Sequence, residues 1–382
     1  MAVRFGFIST YPPTQCGLAT FTSALLEALT AVGGDGALVA RLLDRPQLRG
    51  GAEVMADILT GDQSSGAESV GSVAPLNDCD VVIMQHEFGV YGGRDGEDVL
   101  RLLAELTVPT IVVLHTVLAD PSPHQREVLE AVVAAASAVV TMTVTARDRL
   151  AAGYQVEMGK VSIIAHGAPE PLVSPGLNAV FRTGQPTVLT WGLLGPGKGI
   201  EWGVEALALL HDLRPMPRYV VAGQTHPKVI EREGEAYRDE VRRRIHRHGL
   251  SGLVTLDGRY RDARSLGELV ASADVVLLPY DSTDQVTSGV LIEAVAAGKP
   301  VVATSFPHAV ELLSGGAGLV VPHRDPAGLA SALRTVLTRP EVTAAMTRSA
   351  AAAAPGLRWS AVADEYRKLA ARLIARAATV AA

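Results

Sequence analysis

Short apolar runs alternate with longer amphipathic stretches along the 382 residues of the chain. The runs are rich in β-branched residues, as in TIVVL from Thr110 and DVVLLP from Asp274. Alternation of this kind is typical of β-α units built around parallel sheets. Because these runs are apolar at nearly every position, we expect helices to cover both faces of each sheet.

The predicted strands fall into two series, and helical stretches separate most of them. The first series comprises Val3–Ile8, Ala37–Leu42, Asp80–Met84, Thr110–Leu114, Ala138–Thr143 and Lys160–Ile164. The second comprises Thr187–Trp191, Arg218–Ala222, Leu253–Leu256, Asp274–Leu278, Pro300–Thr304 and Gly318–Val321. The predicted helices are Thr20–Val32, Gly96–Leu106, Gln125–Ala136, Gly199–Leu210, Gly234–His248, Arg264–Ala271, Gly289–Ala297, Pro326–Leu337 and Trp359–Ala378. Residues Gly50–Pro75, rich in glycine, serine and alanine, are predicted to form a loop.

Two domains are expected, since the length suits roughly 100–200 residues for each. Residues Ala168–Pro186 contain several prolines and show no periodicity, and we interpret them as an inter-domain linker. The domains are predicted at residues 1–175 and 176–358, each with a doubly wound parallel sheet of the Rossmann-like type. The helix at 359–378 is expected to cap the second domain or to pack back on the first.

The composition narrows the classes of protein to consider. A hydrophobic share of 48% excludes a disordered chain. The balance of 34 basic and 40 acidic residues, a net charge of −6, gives no indication of a nucleic-acid partner. Two cysteines, Cys16 and Cys79, are more typical of a reducing compartment than of a disulfide-stapled secreted protein.

The chain shows no clear membrane signal. Its longest apolar tract, Val132–Val140, is about half the length that a bilayer span requires. No basic start followed by an apolar stretch opens the chain. We therefore expect a soluble, cytoplasmic protein without a transmembrane segment, and leave a peripheral contact with a membrane open.

The segment DSTDQVTSGVLIEAVAAGKPVVA, from Asp281, carries the sharpest candidate site. A polar loop with Ser288 leads into a helix start, where free backbone N–H groups favour anions. Glu293 stands in an otherwise apolar run, and a carboxylate there needs polar partners. A pair of ribose hydroxyls would satisfy it. The alternative is a first-turn glutamate that complements the helix dipole.

A second candidate is WGLLGPGKG, which directly follows a predicted strand and begins at Trp191. Glycines such as Gly192 allow a ligand to approach the backbone, and Lys198 supplies one cation for a phosphate. The pattern is not a P-loop, because no serine or threonine follows the lysine. The alternative is a turn with an exposed lysine.

Further candidates lie after strands of the first series. Gly17 in PPTQCGLA could admit a phosphate or a sugar, or serve only as a tight turn. His86, His115 and His166 each follow a predicted strand, where histidines are functional or simply structural. No HExxH or CxxC motif is present, so no dedicated metal site is expected.

Two other chemistries are not favoured by the sequence. The segment RDEVRRRIHRH, Arg238–His248, is interrupted by acidic residues and is interpreted as the outer face of an amphipathic helix. No GxSxG elbow indicates a covalent hydrolase.

Together these residues resemble the retaining GT-B glycosyltransferases of family 4, also called glycosyl transferases group 1. The resemblance is carried by STYPPTQCGLATF, IIAHGA, GKG, VVAG, GVLIEAVAAGKPVVAT and GGAGLVVP. It implies two Rossmann-like domains that face each other across a cleft. It also implies metal-independent transfer of a hexose from a nucleotide diphosphate sugar to an acceptor hydroxyl, with retention at the anomeric carbon and no cofactor.

The resemblance assigns roles in the second domain. Of the family's acidic pair, E-x7-E, the ribose-binding member falls on Glu293 and the sugar-contacting member on Gln285. The family's phosphate-binding arginine and lysine fall on Leu193 and Lys198, so the arginine is absent. The backbone of Ser288, Gly289, Val290 and Leu291 is expected to bind the diphosphate, and Arg259 or Arg261 could replace the missing cation.

It assigns roles in the first domain too. The family's glycine pair falls on Cys16 and Gly17, and His115 is expected to touch the donor sugar. His86 and Glu87 are placed on the acceptor side.

GDP-mannose is the first donor that the resemblance suggests and UDP-glucose the second, whereas acceptor and oligomeric state are not predicted. The alternatives are a sugar-nucleotide epimerase or a phosphorylase on the same fold, or a non-catalytic protein that binds nucleotide sugars.

Overall fold

The chain folds into two compact units. The computed structural model describes residues 2–31, 34–47, 50–60, 72–170 and 184–381. The first unit combines Met1–Gly167 with Trp359–Ala382, and the second is Ala168–Arg358. The domain boundary predicted at 175/176 lies outside the described residues. The last helix is part of the first unit, which is one of the two positions expected for it.

The first unit contains a seven-stranded parallel sheet in the order β3-β2-β1-β4-β5-β6-β7. Its strands are β1 Arg4–Ser9, β2 Gly36–Leu43, β3 Val54–Leu59, β4 Val81–His86, β5 Thr110–Leu114, β6 Ala138–Thr141 and β7 Val161–Ile163. Its helices are α1 Gly17–Thr30, α2 Val99–Ala104, α3 Pro123–Ala135, α4 Val144–Gly153 and, from the end of the chain, α13 Trp359–Ala381.

The second unit contains a six-stranded parallel sheet in the order β10-β9-β8-β11-β12-β13. Its strands are β8 Thr187–Trp191, β9 Arg218–Ala222, β10 Val254–Asp257, β11 Val275–Leu278, β12 Val301–Thr304 and β13 Gly318–Val321. Its helices are α5 Ile200–Ala208, α6 Pro227–Glu233, α7 Ala236–Arg247, α8 Ala263–Ser272, α9 Gly289–Ala296, α10 Pro307–Leu313, α11 Pro326–Thr338 and α12 Pro340–Ala353.

Apolar packing explains why both sheets form. Strands β5, β8 and β11 are buried at every position, which requires cover on both faces. In the first unit, Trp359 and Tyr366 of α13 join the same apolar cluster as Phe5, Phe7 and Phe21. The final helix therefore completes the core of the first unit.

The strand order fixes where a ligand would bind in each unit. In the first sheet β1 lies between β2 and β4, and in the second β8 lies between β9 and β11. The chain thus reverses its winding direction at β1 and at β8. Open parallel sheets bind ligands beyond the carboxyl ends of the strands at such a switch point.

The predicted α/β class with two parallel sheets is confirmed. Thr110–Leu114, Thr187–Trp191, Arg218–Ala222 and Gly318–Val321 are strands with the predicted bounds. The loop predicted over Gly50–Pro75 was wrong in part, because β3 lies within it, although residues 61–71 are outside the described residues. β3 is a half-buried edge strand, and so it lacks the long apolar run that marks the other strands.

Three helices, α4, α6 and α10, escaped prediction, and of α12 the sequence predicted only the end, as a helix fragment at Ala350–Ala354. Each buries few residues. α4 buries only Ala146 and Leu150, and no residue of α6 is buried. A helix with so small a buried face leaves a weak periodic signal in the sequence.

Candidate functional site

The loop after β8 lies against the loop after β11 at the switch point of the second sheet. Gly199 has a φ of 61°, and a Cβ there would stand 1.8 Å from the carbonyl oxygen of Pro279. The backbone of Asp281 also donates to the carbonyl of Gly197 at 2.9 Å. Only glycine permits this contact at position 199, and it brings Lys198 beside the end of β11.

Lys198 lies over an aromatic ring. Its Nζ is 4.3 Å from the centroid of the Tyr280 ring, within range of a cation–π interaction. Tyr280 is buried and stacks on Phe306, with 5.1 Å between the ring centroids. Lys198 is partly exposed, yet burial of the ammonium lowers its pKa to about 8. No carboxylate pairs with it within the part of the chain that the structure describes, so this cation is available to an anion.

Glu293 is held by an indole. The Nε1–H of Trp191, the last residue of β8, donates to Glu293 Oε2 at 3.0 Å. Burial raises the pKa of Glu293, and the bond from Trp191 opposes that rise by stabilising the carboxylate. Glu293 is the fifth residue of α9, whose first turn holds no acidic residue. The alternative reading as a first-turn glutamate was therefore wrong.

Some of the free backbone N–H groups at the start of α9 are already hydrogen-bonded within the chain. Ser288 is the N-cap, and its Oγ accepts from the backbone of Leu291 at 3.3 Å. The backbone of Ser288 donates to Nδ1 of buried His308 at 2.8 Å. These bonds leave the amides of Gly289 and Val290 as the candidate anion donors at this helix start.

A Cβ at Gly192, whose φ is 112°, would lie 3.4 Å from Cγ2 of Val290. The loop after β8 therefore also reaches the start of α9. Lys198, Glu293, Gly192 and this helix start thus belong to one group of loops around β8 and β11.

Gln285 shapes the loop that precedes α9. Its side-chain Nε2 donates to the carbonyl of Thr287 at 3.1 Å, and its backbone carbonyl accepts from the backbone of His308 at 3.3 Å. The side chain is partly exposed. Its predicted contact with a sugar stays a prediction.

The two arginines that might replace the cation absent at Leu193 are occupied elsewhere. Arg259 and Arg261 both donate to Asp257, at 2.8 Å and 2.6 Å, at the end of β10. Hydrogen bonds from these guanidinium groups hold the pKa of the Asp257 carboxyl well below its usual range. Both arginines thus neutralise a carboxylate of their own loop.

Arg238 corrects the interpretation of Arg238–His248 as a purely outer helix face. Its side chain is buried, and Nη2 donates to the carbonyl of Gly223 at 2.5 Å. A Cβ at Gly223 would stand 1.9 Å from the carbonyl oxygen of Gly192, so Gly223 packs directly against the loop after β8. By holding the carbonyl of Gly223, Arg238 therefore stabilises that loop. The available signal was its spacing, since Arg238 shares a buried face of α7 with Val241 and Ile245.

The histidines of the first unit lie close to one another and to aromatic rings. His115 Nε2 is 2.7 Å from Gln85 Oε1. The Phe21 ring centroid lies 4.9 Å from that of His115 and 5.0 Å from that of His166. Burial and, to a smaller extent, the neighbouring His166 and His86 lower the pKa of His115 to about 3. His115 is therefore a neutral group with some exposed surface.

The position of His86 does not suit the acceptor-side role predicted for it. Its side chain has no exposed surface, and its ring lies 5.2 Å from the ring of Phe88. In this conformation it has no surface with which to contact an acceptor, because it belongs to the core. Glu87 is partly exposed, accepts from Thr116 Oγ1 at 2.5 Å, and stays an acceptor-side prediction.

Gly17 opens α1, directly after the N-cap Cys16, whose Sγ accepts from the backbone of Ala19 at 3.4 Å. A Cβ at Gly17 would meet no atom within 4 Å. Local packing does not require glycine here, and its predicted role in binding stays a prediction.

Within the described ranges, no group of three or more His, Cys, Asp or Glu residues could hold a metal ion. Of the helices described, none combines the length and the apolar character needed to cross a membrane.

The sequence of the second unit matches a known family. Residues 185–339 match the family described as "Glycosyl transferases group 1". A D-inositol 3-phosphate glycosyltransferase of Streptomyces avermitilis is 31% identical over 267 residues, or 64% of this chain and 55% of that protein. A GDP-mannose-dependent alpha-(1-6)-phosphatidylinositol dimannoside mannosyltransferase of Mycobacterium tuberculosis is 27% identical over 150 residues, or 39% and 35% of the two chains. The match spans 55%, 52% and 60% of the first three relatives, somewhat more than half of their length.

Solved structures share the fold of the whole chain. Sucrose-phosphate synthase from Thermosynechococcus elongatus superposes with a TM-score of 0.75 at 19% identity, over 98% of this chain and 100% of that one. Anabaena HepE, solved with UDP, gives 0.74 at 19% identity, over 97% and 100%. At such identities the likeness concerns the fold, which agrees with the expected GT-B class.

Proposed function

We propose that this chain transfers a hexose from a nucleotide diphosphate sugar to an acceptor hydroxyl, with retention and without a metal, because residues 185–339 match the family of glycosyl transferases group 1. The observation that carries the proposal is that a cation and an acid both lie at the switch point of the second sheet. The ammonium of Lys198, to which no described residue offers a carboxylate, lies over Tyr280, and Glu293, held by Trp191, lies one helix turn after the capped start of α9.

The difficult step in such a transfer is cleavage of the bond between the anomeric carbon and the diphosphate. Negative charge develops on the leaving oxygen, so groups that stabilise this charge accelerate the reaction. Lys198 supplies a positive charge, and the amides of Gly289 and Val290 supply oriented dipoles. Each such donor typically contributes about 10²–10³-fold to the rate. Glu293 accepts from the ribose hydroxyls and fixes the nucleotide.

The sugar contacts in the proposal come from the resemblance. His115 touches the transferred hexose as a neutral hydrogen-bonding group, since its pKa lies far below physiological pH. Gln285 contacts the same sugar through its amide once it leaves the carbonyl of Thr287. No side chain serves as a covalent nucleophile.

The names of the relatives give the first substrates to assay. The mycobacterial relative is named for GDP-mannose, which supports GDP-mannose as first donor. HepE was solved with UDP-glucose, which supports UDP-glucose as second. Several relatives are named for D-inositol 3-phosphate, so an inositol phosphate is the first acceptor to test.

One observation favours a second candidate, a nucleotide-sugar-binding protein without transfer activity. Of the cations that the resemblance suggests for the diphosphate, Lys198 alone is left, because Leu193 stands where the family has arginine and both Arg259 and Arg261 bind Asp257. Tight nucleotide binding without turnover on any acceptor would favour this candidate.

The test begins with thermal unfolding in the presence of UDP, GDP, ADP and their sugars. A ligand that binds the folded protein raises its melting temperature by mass action. We expect one nucleoside diphosphate series to stabilise the protein, and product analysis with that donor to show a glycoside with retained configuration. Absence of stabilisation by every nucleotide would contradict the proposal.

The nucleotide assignment is tested at Glu293. The Glu293→Ala variant removes the acceptor for the ribose hydroxyls, and we expect nucleoside diphosphate affinity by calorimetry to fall by about tenfold or more. Glu268→Ala is the matched control, because Glu268 pairs with Arg264 on the surface of the same unit. Equal affinities for wild type and Glu293→Ala would remove Glu293 from the nucleotide site.

A further inference from the structure

Trp191 precedes the loop after β8 and donates to Glu293, and the family resemblance assigns it no part in binding. It ends β8 with 4% of its surface exposed, so it is not placed to touch a ligand itself. Its indole nitrogen points to Glu293 Oε2 at 3.0 Å. An indole N–H is a donor only, so the bond has one possible direction and it demands an acceptor.

We propose that Trp191 is a positioning residue, which holds one carboxylate oxygen of Glu293 so that the other is presented to the cis-diol of a nucleoside ribose. The inference rests on the proposed function. It goes beyond that function because it depends on the tryptophan at the end of β8.

The geometry supports a positioning role in two ways. The donor and the acceptor are on different elements, β8 and α9, so the bond fixes the helix rotation as well as the side chain. The indole is rigid and buried, so it holds the carboxylate with little loss of side-chain entropy on ligand binding. A glutamate free to rotate would bind the diol more weakly.

The charge balance around Glu293 supports the same role. Burial disfavours the carboxylate form, and Tyr280, the titratable neighbour of Glu293, adds no positive charge. The ammonium of Lys198 lies over the Tyr280 ring, and among the described residues the one hydrogen bond to the Glu293 carboxylate comes from Trp191. The bond from Trp191 therefore helps to keep Glu293 ionised, and an ionised carboxylate is the better acceptor for two hydroxyls.

The test compares a ribonucleotide with an analogue that lacks both hydroxyls. Affinities of GDP and 2′,3′-dideoxy-GDP, and of UDP and 2′,3′-dideoxy-UDP, are measured by calorimetry on the full chain. For the pair that binds, wild type should favour the ribonucleotide. In Trp191→Phe this preference should fall by about tenfold, since one hydrogen bond to a charged group is lost.

A matched control separates positioning from general damage. Trp202 lies in the same unit with a buried indole nitrogen to which the structure gives no partner, and so Trp202→Phe should leave the preference unchanged. In a Glu293→Ala background, Trp191→Phe should have no further effect on the preference, because Trp191 acts through Glu293.

Wild-type protein keeps the inference testable should Trp191→Phe fold poorly. With ¹⁵N-labelled tryptophan, the indole resonance of Trp191 should move on GDP or UDP addition and as pH falls through the pKa of Glu293. An unmoved resonance, or an unchanged preference in a folded Trp191→Phe, would overturn the inference while the proposed function stands. If no nucleotide binds wild type, it is the proposed function that fails.

Discussion

The two sheets present different chemistry at the same topological position. In the first unit, the carboxyl ends of the strands carry histidines that burial keeps neutral, with pKa values lowered to about 4 at His86 and about 3 at His115. In the second, the corresponding edge carries Lys198 and Glu293, each held by an aromatic side chain.

The contrast shows that the fold determines where a ligand can bind, whereas the side chains determine which ligand binds there. Both sheets reverse direction at a central strand, which gives each of them a crevice at the carboxyl end. The chemistry in that crevice depends on the side chains that follow each strand. Opposite charges suit a diphosphate and a ribose, whereas neutral imidazoles suit uncharged sugar hydroxyls.

Loss of the cation should have the largest consequence. We expect Lys198→Ala to lower kcat by about 10²–10³-fold, because a donor to the leaving diphosphate is lost. The measurement is initial-rate kinetics, with circular dichroism to verify the fold. Lys368→Ala is the control, since Lys368 pairs with exposed Glu365 and should keep wild-type rates. Near-normal turnover in Lys198→Ala would remove the lysine from the mechanism.

The next largest effect is on stability, and it compares Gly199 of the second unit with Gly17 of the first. Gly199→Ala must place a side chain at a φ of 61° and against the Pro279 carbonyl, so we expect a loss of about 2 kcal/mol or more in unfolding free energy. Gly17→Ala adds a methyl group in open space and should be nearly neutral. Urea unfolding of both variants is the measurement, and equal stabilities would show that the loop after β8 can relax.

Substitution of His115 in the first unit should slow the transfer and leave nucleotide binding intact. We expect His115→Ala to lower kcat by about tenfold, the effect of one lost hydrogen bond, with the Kd of the nucleoside diphosphate unchanged. His124→Ala, at a partly exposed histidine of the same unit, is the control. A weaker nucleotide affinity in His115→Ala would contradict this division of roles.

The smallest effect is a dependence on pH. Burial lowers the pKa of Lys198 to about 8, so its charge is present below that pH and is lost as pH rises through it. Nucleoside diphosphate affinity should therefore fall severalfold between pH 7 and pH 9. In Lys198→Arg the fall should disappear, because arginine stays charged. Calorimetry across this range is the measurement, and a flat profile in wild type would contradict the expectation.

Much of the fold could be predicted from the sequence because buried parallel strands leave an unbroken apolar signal. β5 and β8 have their predicted bounds for this reason. The edge strand β3 and the helix α4 were missed, since each buries only a few residues. Short elements at the periphery take their structure from neighbours that the local sequence does not show.

The candidate site was predictable in its charged members and not in its supporting ones. Lys198 and Glu293 stand out because a lysine among glycines and an acid in an apolar run violate the local pattern. Trp191 and Tyr280 raise no such signal, since an aromatic residue at a strand end suits an ordinary core. Arg238 was assigned to the surface by its charged neighbours, although its side chain is buried.

The sequence by itself therefore determined every strand of the two sheets except β3, most of the helices and the two charged groups, because hydrophobic periodicity and isolated charges are readable within a few residues. The partners of those charges became visible only after folding. The indole of Trp191 meets Glu293 across 102 positions, and Lys198 meets Tyr280 from a neighbouring strand end. Such contacts depend on strand order, which is set by packing of the whole sheet.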